Sequence, residues 1–294
     1  MKQKIVIFLA IAVAVIGCVV IGVVRWQNSP YHYSTMLREA IYNDDLSEAK
    51  RIIDTYNFDV NTPTSKPNIL WDGLTETSPD APLSVACQMG NYEMVKLLID
   101  HGAHAKYVEG TTWPPLFAAY LHSNADNYKI TKLLIENGID VNYVDGTSVA
   151  IKEAAQLWPE EYTPKGKPVY RGVYNEQIAQ DICNIVDLLL ENGADINGHN
   201  LGLDYSLIKQ AASADNSALL VYLMDVRGID VNYRDNIGQT ALFRLSETRS
   251  YYANTVTLLL ERGADKSIKD NEGKTAYDSA IERGYPKLAK MLKP

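Results

Sequence analysis

Residue types that carry out chemistry are scarce in this 294-residue chain, which has three cysteines and five histidines. It has no glycine-rich phosphate loop, no serine nucleophile elbow and no zinc-protease helix motif. Only His101 and His104 are close neighbours, and Gly102 between them should end a helix, so they would not share a metal-binding face. These absences argue against the recognisable enzyme classes. We expect no cofactor and no metal site.

Positive charge is also under-represented. The chain carries a formal net charge of −8 at pH 7, and because Lys2, Lys4 and Arg25 contribute +3, residues 27–294 carry −11. A domain this acidic should repel phosphate backbones and attract basic proteins. The composition therefore argues against nucleic-acid binding and favours a basic protein partner.

Long hydrophobic runs are absent except for one at the amino terminus. The segment from Ile5 to Val24 has no charged side chain, and 20 residues at about 1.5 Å per residue reach the roughly 30 Å of a bilayer core. Lys2 and Lys4 precede this segment, whereas Arg25 alone follows it closely, next to Trp26. This bias favours a single-pass inner-membrane anchor with a cytoplasmic amino terminus and an extracytoplasmic, periplasmic remainder.

Two alternative interpretations of this segment also export the rest of the chain. Val15-Ile16-Gly17-Cys18 resembles the bacterial lipoprotein processing box, in which Cys18 would be lipidated. However, the chain stays apolar from Val19 to Val24, where a mature lipoprotein usually turns polar. A cleaved secretory signal normally has a shorter apolar run of about 7–15 residues. An uncleaved anchor is therefore the favoured interpretation.

The rest of the chain contains a recurring segment of two or three leucines, a polar pair, a glycine and a small or branched residue, usually followed by an acid and an asparagine. One copy is Leu133-Leu134…Gly138-Ile139-Asp140-Val141-Asn142. The glycines of the five copies are Gly102, Gly138, Gly193, Gly228 and Gly263. Such recurrence is typical of a stacked repeat array rather than of a globule around a catalytic pocket.

Each copy predicts the end of one helix and the approach of the next. A glycine after the leucines can close a helix in the left-handed conformation without a Cβ clash. Thr147, Thr240 and Thr275 are placed to cap the following helix through their hydroxyl groups. The spacing from the glycine to the next helix opening is 12 residues for four of the five glycines, from 102 to 114, 193 to 205, 228 to 240 and 263 to 275.

These features resemble the ankyrin-repeat family, which has a period of about 33 residues and opens its first helix with Thr-Pro-Leu-His-x-Ala. The nearest copy here is Ala81-Pro82-Leu83-Ser84-Val85-Ala86, and degenerate openings occur at 114–119, 240–245 and 275–280. The usual histidine is absent throughout, so the loop hydrogen bonds that it makes in the family must be replaced or lost. The resemblance implies an all-α solenoid of helix pairs with β-like fingers, and a partner on the fingers and adjacent helix faces.

We predict an anchor over residues 1–26, a linker over 27–34 and an array of about seven helix-pair units over 35–294. The approximate units are 35–61, 81–106, 114–142, 147–197, 205–232, 240–267 and 275–294, and the outer two should act as caps. Cys87 and Cys183 fall two repeats apart, which exceeds the limit of about 7 Å between the Cα atoms of a disulfide. They are better interpreted as buried thiols.

Departures from the regular spacing indicate where a partner could bind. Insertions lie at about 62–80 and 157–177, and loops this long are usually functional or mobile. Tryptophans lie in connections rather than in repeat helices, a tyrosine recurs five residues after three of the glycines, and the second insertion is rich in aromatics. The predicted partner-binding residues are Trp71, Tyr107, Trp113, Tyr143, Trp158, Tyr162, Tyr170, Tyr174 and Tyr233. The alternative is that these rings only pack within their own loops.

The sequence therefore predicts a non-catalytic protein-protein interaction module, anchored in the membrane with its array in the periplasm. A sharper hypothesis, motivated by export, acidity and aromatic loops, is an inhibitor or immunity-type protein that neutralises a toxin or enzyme. The alternative function is a structural or stress-response scaffold for membrane complexes. A third possibility is an array that faces the cytoplasm.

Overall fold

The computed structural model describes residues 29–63, 81–106, 113–121, 124–146, 148–157, 176–197, 206–247 and 253–293. The chain divides into two compact units, residues 1–115 and 116–294, and each is described by itself. None of the helices in the described part of the chain is long and apolar enough to cross a bilayer. The predicted anchor over residues 5–24 and Cys18 lie outside the described residues.

The first unit contains two helix pairs. Helices α1 (Pro30–Tyr42) and α2 (Leu46–Tyr56) form the first pair, and α3 (Pro82–Met89) and α4 (Tyr92–Asp100) form the second. Helix α1 packs on both α2 and α3, and α2 packs on α4. Like helices of neighbouring pairs therefore stack on each other, as a repeat array requires.

The second unit continues the same alternation. Its helices are α5 (Pro115–Ala119), which begins at the boundary, α6 (Asn127–Glu136), α7 (Ala150–Ala155), α8 (Glu176–Glu191), α9 (Leu207–Ser213), α10 (Ser217–Val221), α11 (Ala241–Glu247), α12 (Ala253–Glu261), α13 (Ala276–Glu282) and α14 (Pro286–Leu292). First helices stack in the order α7, α9, α11 and α13, and second helices in the order α6, α8, α10 and α12. The described helices thus form seven pairs, and the expected all-α repeat fold is confirmed.

The core is distributed along the stack. The leucine that the repeat places in each second helix is fully buried, as shown by Leu98, Leu134, Leu189 and Leu259. Cys87 and Cys183 are buried free thiols. Burial raises the pKa of both thiols, that of Cys183 to about 11, so neither forms a reactive thiolate at neutral pH.

The helix ends follow the predicted chemistry at the five glycines and at Thr275. All five glycines of the repeated segment have φ between +65° and +90°, the left-handed region that tolerates glycine best. At the last pair, the Thr275 side chain accepts from the Asp278 N–H while the Asp278 carboxylate accepts from the Thr275 N–H. This reciprocal capping box lowers the pKa of Asp278. Thr147 lies outside the described residues.

One second helix departs from regular geometry. Helix α10 continues as a π-helical segment from Tyr222 to Val226, and such segments usually absorb an extra residue. Twelve positions separate Asn216 from Gly228, against eleven between Asn91 and Gly102 in the second pair. The widened turn accommodates one additional residue between the same two landmarks, so the following finger stays in register.

Stacking predicts a sharp difference between neighbouring leucines. Leu259→Ala should lower the free energy of unfolding by about 2–5 kcal/mol, because it removes buried methyl groups and leaves a cavity between layers. The matched control is Leu258→Ala, since Leu258 is only partly buried. The measurement is the midpoint of urea unfolding. Equal midpoints for the two variants would contradict the assigned register.

Candidate partner-binding surface

The finger face of each unit comprises the extended finger after each second helix together with the first helices next to it. Its fingers are tied together by asparagine side chains. The Asn232 amide donates to the Gly263 carbonyl at 3.1 Å and accepts from the Asp265 N–H at 2.8 Å. One side chain thereby satisfies both backbone groups at the start of the next finger.

The same asparagine bridge recurs elsewhere along the chain. Asn61 donates to the Gly102 carbonyl at 3.0 Å and accepts from the His104 N–H at 2.7 Å. Asn142 donates to the Gly193 carbonyl at 2.8 Å and accepts from the N–H of residue 195 at 3.2 Å. The asparagines of the repeated segment therefore set the spacing between successive fingers, a role that the sequence pattern alone did not reveal.

The aspartate two positions before each asparagine shapes the finger itself. Asp59, Asp140 and Asp230 each accept, through a carboxylate oxygen, the N–H of the residue two positions later at 2.8–2.9 Å. These short loops turn the chain without help from other elements. The Asp-x-Asn pattern thus combines a local turn with a bridge to the next repeat.

Two finger tips stack closely in the last repeats. Asn271 of the last tip donates its backbone N–H to the Ile237 carbonyl at 3.0 Å and its side-chain amide to the Asn236 carbonyl at 2.8 Å. Gly238 has φ of +80°, and a Cβ there would lie 2.5 Å from the Asn271 Oδ1 atom and 2.9 Å from its backbone nitrogen. A side chain at Gly238 would therefore clash with Asn271, and glycine allows the two finger tips to approach this closely.

Different chemistries replace the missing histidine of the family's helix opening. Ser84 occupies that position in the second pair and donates its hydroxyl to the Trp113 carbonyl at 2.7 Å. The fifth pair opens at Ser206, one residue later than predicted, so Lys209 occupies this position there. Lys209 forms an ion pair with Asp235 of the following finger, with both side chains largely buried. The link between first helix and finger is therefore retained with other residues.

An aromatic contact occupies the same position in the third pair. The Phe117 ring lies 6.3 Å from the ring of Tyr143, with the two planes tilted by 60°. Phe117 is buried, and Tyr143 is half-buried on its finger. Tyr143 therefore contributes to packing as well as presenting an edge to solvent.

Charged side chains between the first helices pair with each other. Glu247 of α11 accepts from Arg283 at 3.3 Å and from Gln239 at 3.4 Å, and Lys274 lies 2.8 Å from Glu282. The contact of Glu247 with Arg283 joins neighbouring repeats, whereas the other two each lie within one repeat. These charged side chains already have hydrogen-bonding or ionic partners within the chain, so they present little unpaired charge to a binding protein.

The predicted site residues divide into those the structure places and those it does not. Trp113 is 39 % exposed, whereas Tyr143 and Tyr233 are half-buried on their fingers. The six others, Trp71, Tyr107, Trp158, Tyr162, Tyr170 and Tyr174, lie outside the described residues. Their assignment to partner binding stays a prediction, as it does for the three that are described.

One exposed apolar residue on the finger face was not predicted. Ile237 is 52 % exposed at the finger tip, although its backbone is held by Asn271 and by the Asp235 carboxylate. The sequence signal was the turn Asp235-Asn236-Ile237-Gly238, where an apolar residue interrupts an otherwise polar tip. We count Ile237 with Trp113 as candidate contact residues.

The described part of the chain holds no group of three side chains able to bind a metal ion. His101 instead directs Nδ1 to the Leu97 carbonyl at 2.8 Å, and its Nε2 lies 3.5 Å from Asp54. Helices, fingers and bridges together define a helical-repeat scaffold.

Comparison with known proteins gives this class a family. The family model for ankyrin repeats in three copies matches residues 37–145 and 207–294, more than half of the chain. The chain belongs to the ankyrin-repeat family. Ankyrin repeats bind protein partners and are generally non-catalytic. No curated protein sequence matches the chain.

Solved structures give the same fold. The human ASB11 ankyrin repeat domain matches with a TM-score of 0.59 at 18% identity, covering 88% of this chain and 97% of that domain. The ankyrin repeat domain of Bcl-3, a member of the IkappaB protein family, matches with a TM-score of 0.52 at 19% identity, covering 88% of this chain and 98% of that domain. At these identities the likeness shows the fold alone.

The asparagine bridge predicts a measurable contribution to stability. Asn232→Ala should lower the free energy of unfolding by about 1–2 kcal/mol, because it removes two hydrogen bonds between successive fingers. Asn236→Ala is the matched control, since its side chain makes no hydrogen bond within the described residues. Urea unfolding measures both. The bridge would lose its assigned role if the two variants unfolded at the same midpoint.

Proposed function

We propose that this protein is a non-catalytic binding module that recognises a protein partner through the finger faces of its two units, each taken by itself. The observation that carries the proposal is the exposure of Trp113 and Ile237 on backbone segments that are themselves fixed. The Trp113 carbonyl accepts from Ser84, and the Ile237 carbonyl accepts from Asn271. Apolar side chains on a fixed backbone bind with little loss of conformational freedom.

The chemistry of these side chains supports the same proposal. Tryptophan is enriched among residues that dominate binding energy, since it buries a large area with few rotatable bonds. The surrounding ion pairs, such as Glu247 with Arg283, are internally satisfied. They can form a polar rim around apolar contacts, which is the usual anatomy of a protein interface. Tyr143 and Tyr233 would extend this surface along the fingers.

Net charge suggests the kind of protein that binds. Residues 27–294 carry −11, and an acidic surface speeds the encounter with a basic protein and disfavours an acidic one. We therefore propose a basic partner. Because steering depends on unscreened charge, its association should slow as salt is added.

We also propose that the array is anchored in the membrane by residues 5–24 and faces the periplasm. The support is the length of this apolar run and the excess of cations before it. In this setting the protein would act as an inhibitor or immunity-type partner of an exported toxin or enzyme. Export and acidity motivate this role, and a single stoichiometric basic partner would favour it over a scaffold for many subunits.

Alanine substitution tests the finger face. The full-length variant Trp113→Ala/Ile237→Ala should recover at least about tenfold less partner in affinity capture quantified by mass spectrometry, with an unchanged unfolding midpoint. Val226→Ala is the control, because Val226 is also exposed but lies on a second helix. Undiminished recovery by the double variant would remove this face from consideration.

Reporter fusions test the proposed topology. A reporter that is active only outside the cytoplasm, joined after residue 294, should show activity in cells that express the full chain. A cytoplasm-dependent reporter at the same position should be silent. Exchanging Lys2 and Lys4 for glutamines should weaken this preference, since the cation bias before the apolar run is reduced. The reverse pattern of activities in the unaltered chain would place the array in the cytoplasm.

A further inference from the structure

Exposed apolar side chains are concentrated in the terminal helix pairs. Within the described residues, six large hydrophobic side chains are exposed, and three of them belong to the first or last pair. Tyr42 and Leu46 flank the turn between α1 and α2 and are 43 % and 39 % exposed. Ile281 lies just before the turn between α13 and α14 and is 52 % exposed. The first and last pairs thus each present apolar groups beside a helix-helix turn.

The two turns carry opposite charge. Residues 39–48, which include Tyr42 and Leu46, contain four carboxylates and neither lysine nor arginine, and the preceding Arg38 guanidinium lies 5.3 Å from the centre of the Tyr42 ring. Residues 283–293 contain four cations and no carboxylate. Glu282, which separates them from Ile281, is paired with Lys274, and Arg283 is paired with Glu247. These local charges come from residues close to each apolar group in the sequence. The charge of residues 283–293 is opposite in sign to the net charge of the chain.

The cations of the last helix have no carboxylate partners of their own. Lys287, Lys290 and Lys293 are exposed, and no carboxylate of the described residues lies within 4.0 Å of their ammonium groups. Lys266 donates to the Lys293 carbonyl at 2.6 Å, which places a further ammonium group at the end of the last helix. The positive charge of the last helix is therefore complementary to an anionic surface.

The first turn supplies such a surface. Glu39 is exposed and forms no ion pair within the described residues. Asp44 accepts from the Asn91 amide and Asp45 caps α2, so the partners given for these two carboxylates are uncharged groups. Glu48 is the exception, because Arg51 binds it at 2.6 Å. Glu39, Asp44 and Asp45 outnumber Arg38, which lies over the Tyr42 ring, so the exposed apolar pair has a net acidic rim, the arrangement expected of an interface with a basic partner.

We propose that the first pair of one copy docks on the last pair of a second copy, head to tail. Tyr42 and Leu46 of one copy contact Ile281 of the other, and the acidic rim meets Lys287 and Lys290. The two patches differ, so the contact is heterologous and leaves one free end on each copy for further association. This contact does not use Trp113 or Ile237, and it stands or fails separately from the proposed partner binding.

Disulfide trapping between two differently tagged full-length copies tests the geometry. One copy carries Leu46→Cys and the other Lys287→Cys, and both carry Cys18→Ser. The native Cys87 and Cys183 are retained because they are buried. Oxidation of co-expressed copies should give the mixed 46–287 cross-link in at least tenfold excess over either same-site cross-link. Asn254→Cys, at an exposed position of α12, replaces Lys287→Cys in the matched control and should trap nothing.

Charge reversal tests the chemistry of the contact. Lys287→Glu would repel the acidic turn, so for this arm the second cysteine is placed at Lys290 and trapping should fall at least tenfold. Adding Glu39→Lys and Ser47→Lys to the first copy should restore it, while high salt should weaken trapping by the unaltered pair. Same-site cross-links alone, no cross-link in any pair, or trapping unaffected by charge reversal would each overturn the proposal.

Discussion

The constraint on which the rest of this structure depends is that no helix pair can bury its apolar side chains alone. Leu134, Leu189 and Leu259 of the second unit are fully buried because neighbouring pairs cover them. In both units first helices stack on first helices and second helices on second helices, so each pair keeps its neighbour's apolar side chains away from solvent. Stability is therefore a sum over adjacent layers rather than a property of one core.

Stacking by leucines alone would leave the spacing of the fingers undefined, because hydrophobic contact has no direction. Asparagine bridges supply that direction. Asn61, Asn142 and Asn232 each bind both a carbonyl and an N–H of the next finger. Two hydrogen bonds from one planar amide fix distance and orientation together. The same backbone order holds exposed residues such as Ile237 in place, which links the repeat geometry to its capacity to bind.

The position of the family's histidine shows how the same geometry is reached with different side chains. Ser84 donates a hydroxyl, Lys209 forms an ion pair with Asp235, and Phe117 packs near Tyr143. In each case the first helix contacts the finger that follows. What the fold needs at this position is a contact of suitable reach, and several chemistries provide it. This tolerance accounts for openings that are degenerate in sequence while the helices remain in register.

The alternation of helices, the buried leucines and the left-handed glycines followed from the sequence, because each depends on residues close together in the chain and on a spacing that repeats. The family was evident from the same features. The candidate surface could be predicted only in part. Trp113 was identified from its place in a connection, but Ile237 was not, since an apolar residue in a turn looks the same whether it is covered or exposed.

Tertiary structure decided which neighbour each polar group meets. The Asp-x-Asn pattern was visible in the chain, yet the partners of Asn232 lie more than thirty residues away and become adjacent only when the repeats stack. The same holds for the ion pair of Lys209 and for the burial of Tyr143. Local sequence determined the helices, their ends and their apolar stripes, because those depend on short-range sterics and hydrogen bonds. Packing between layers decided exposure and pairing, because these depend on distances that no local pattern contains.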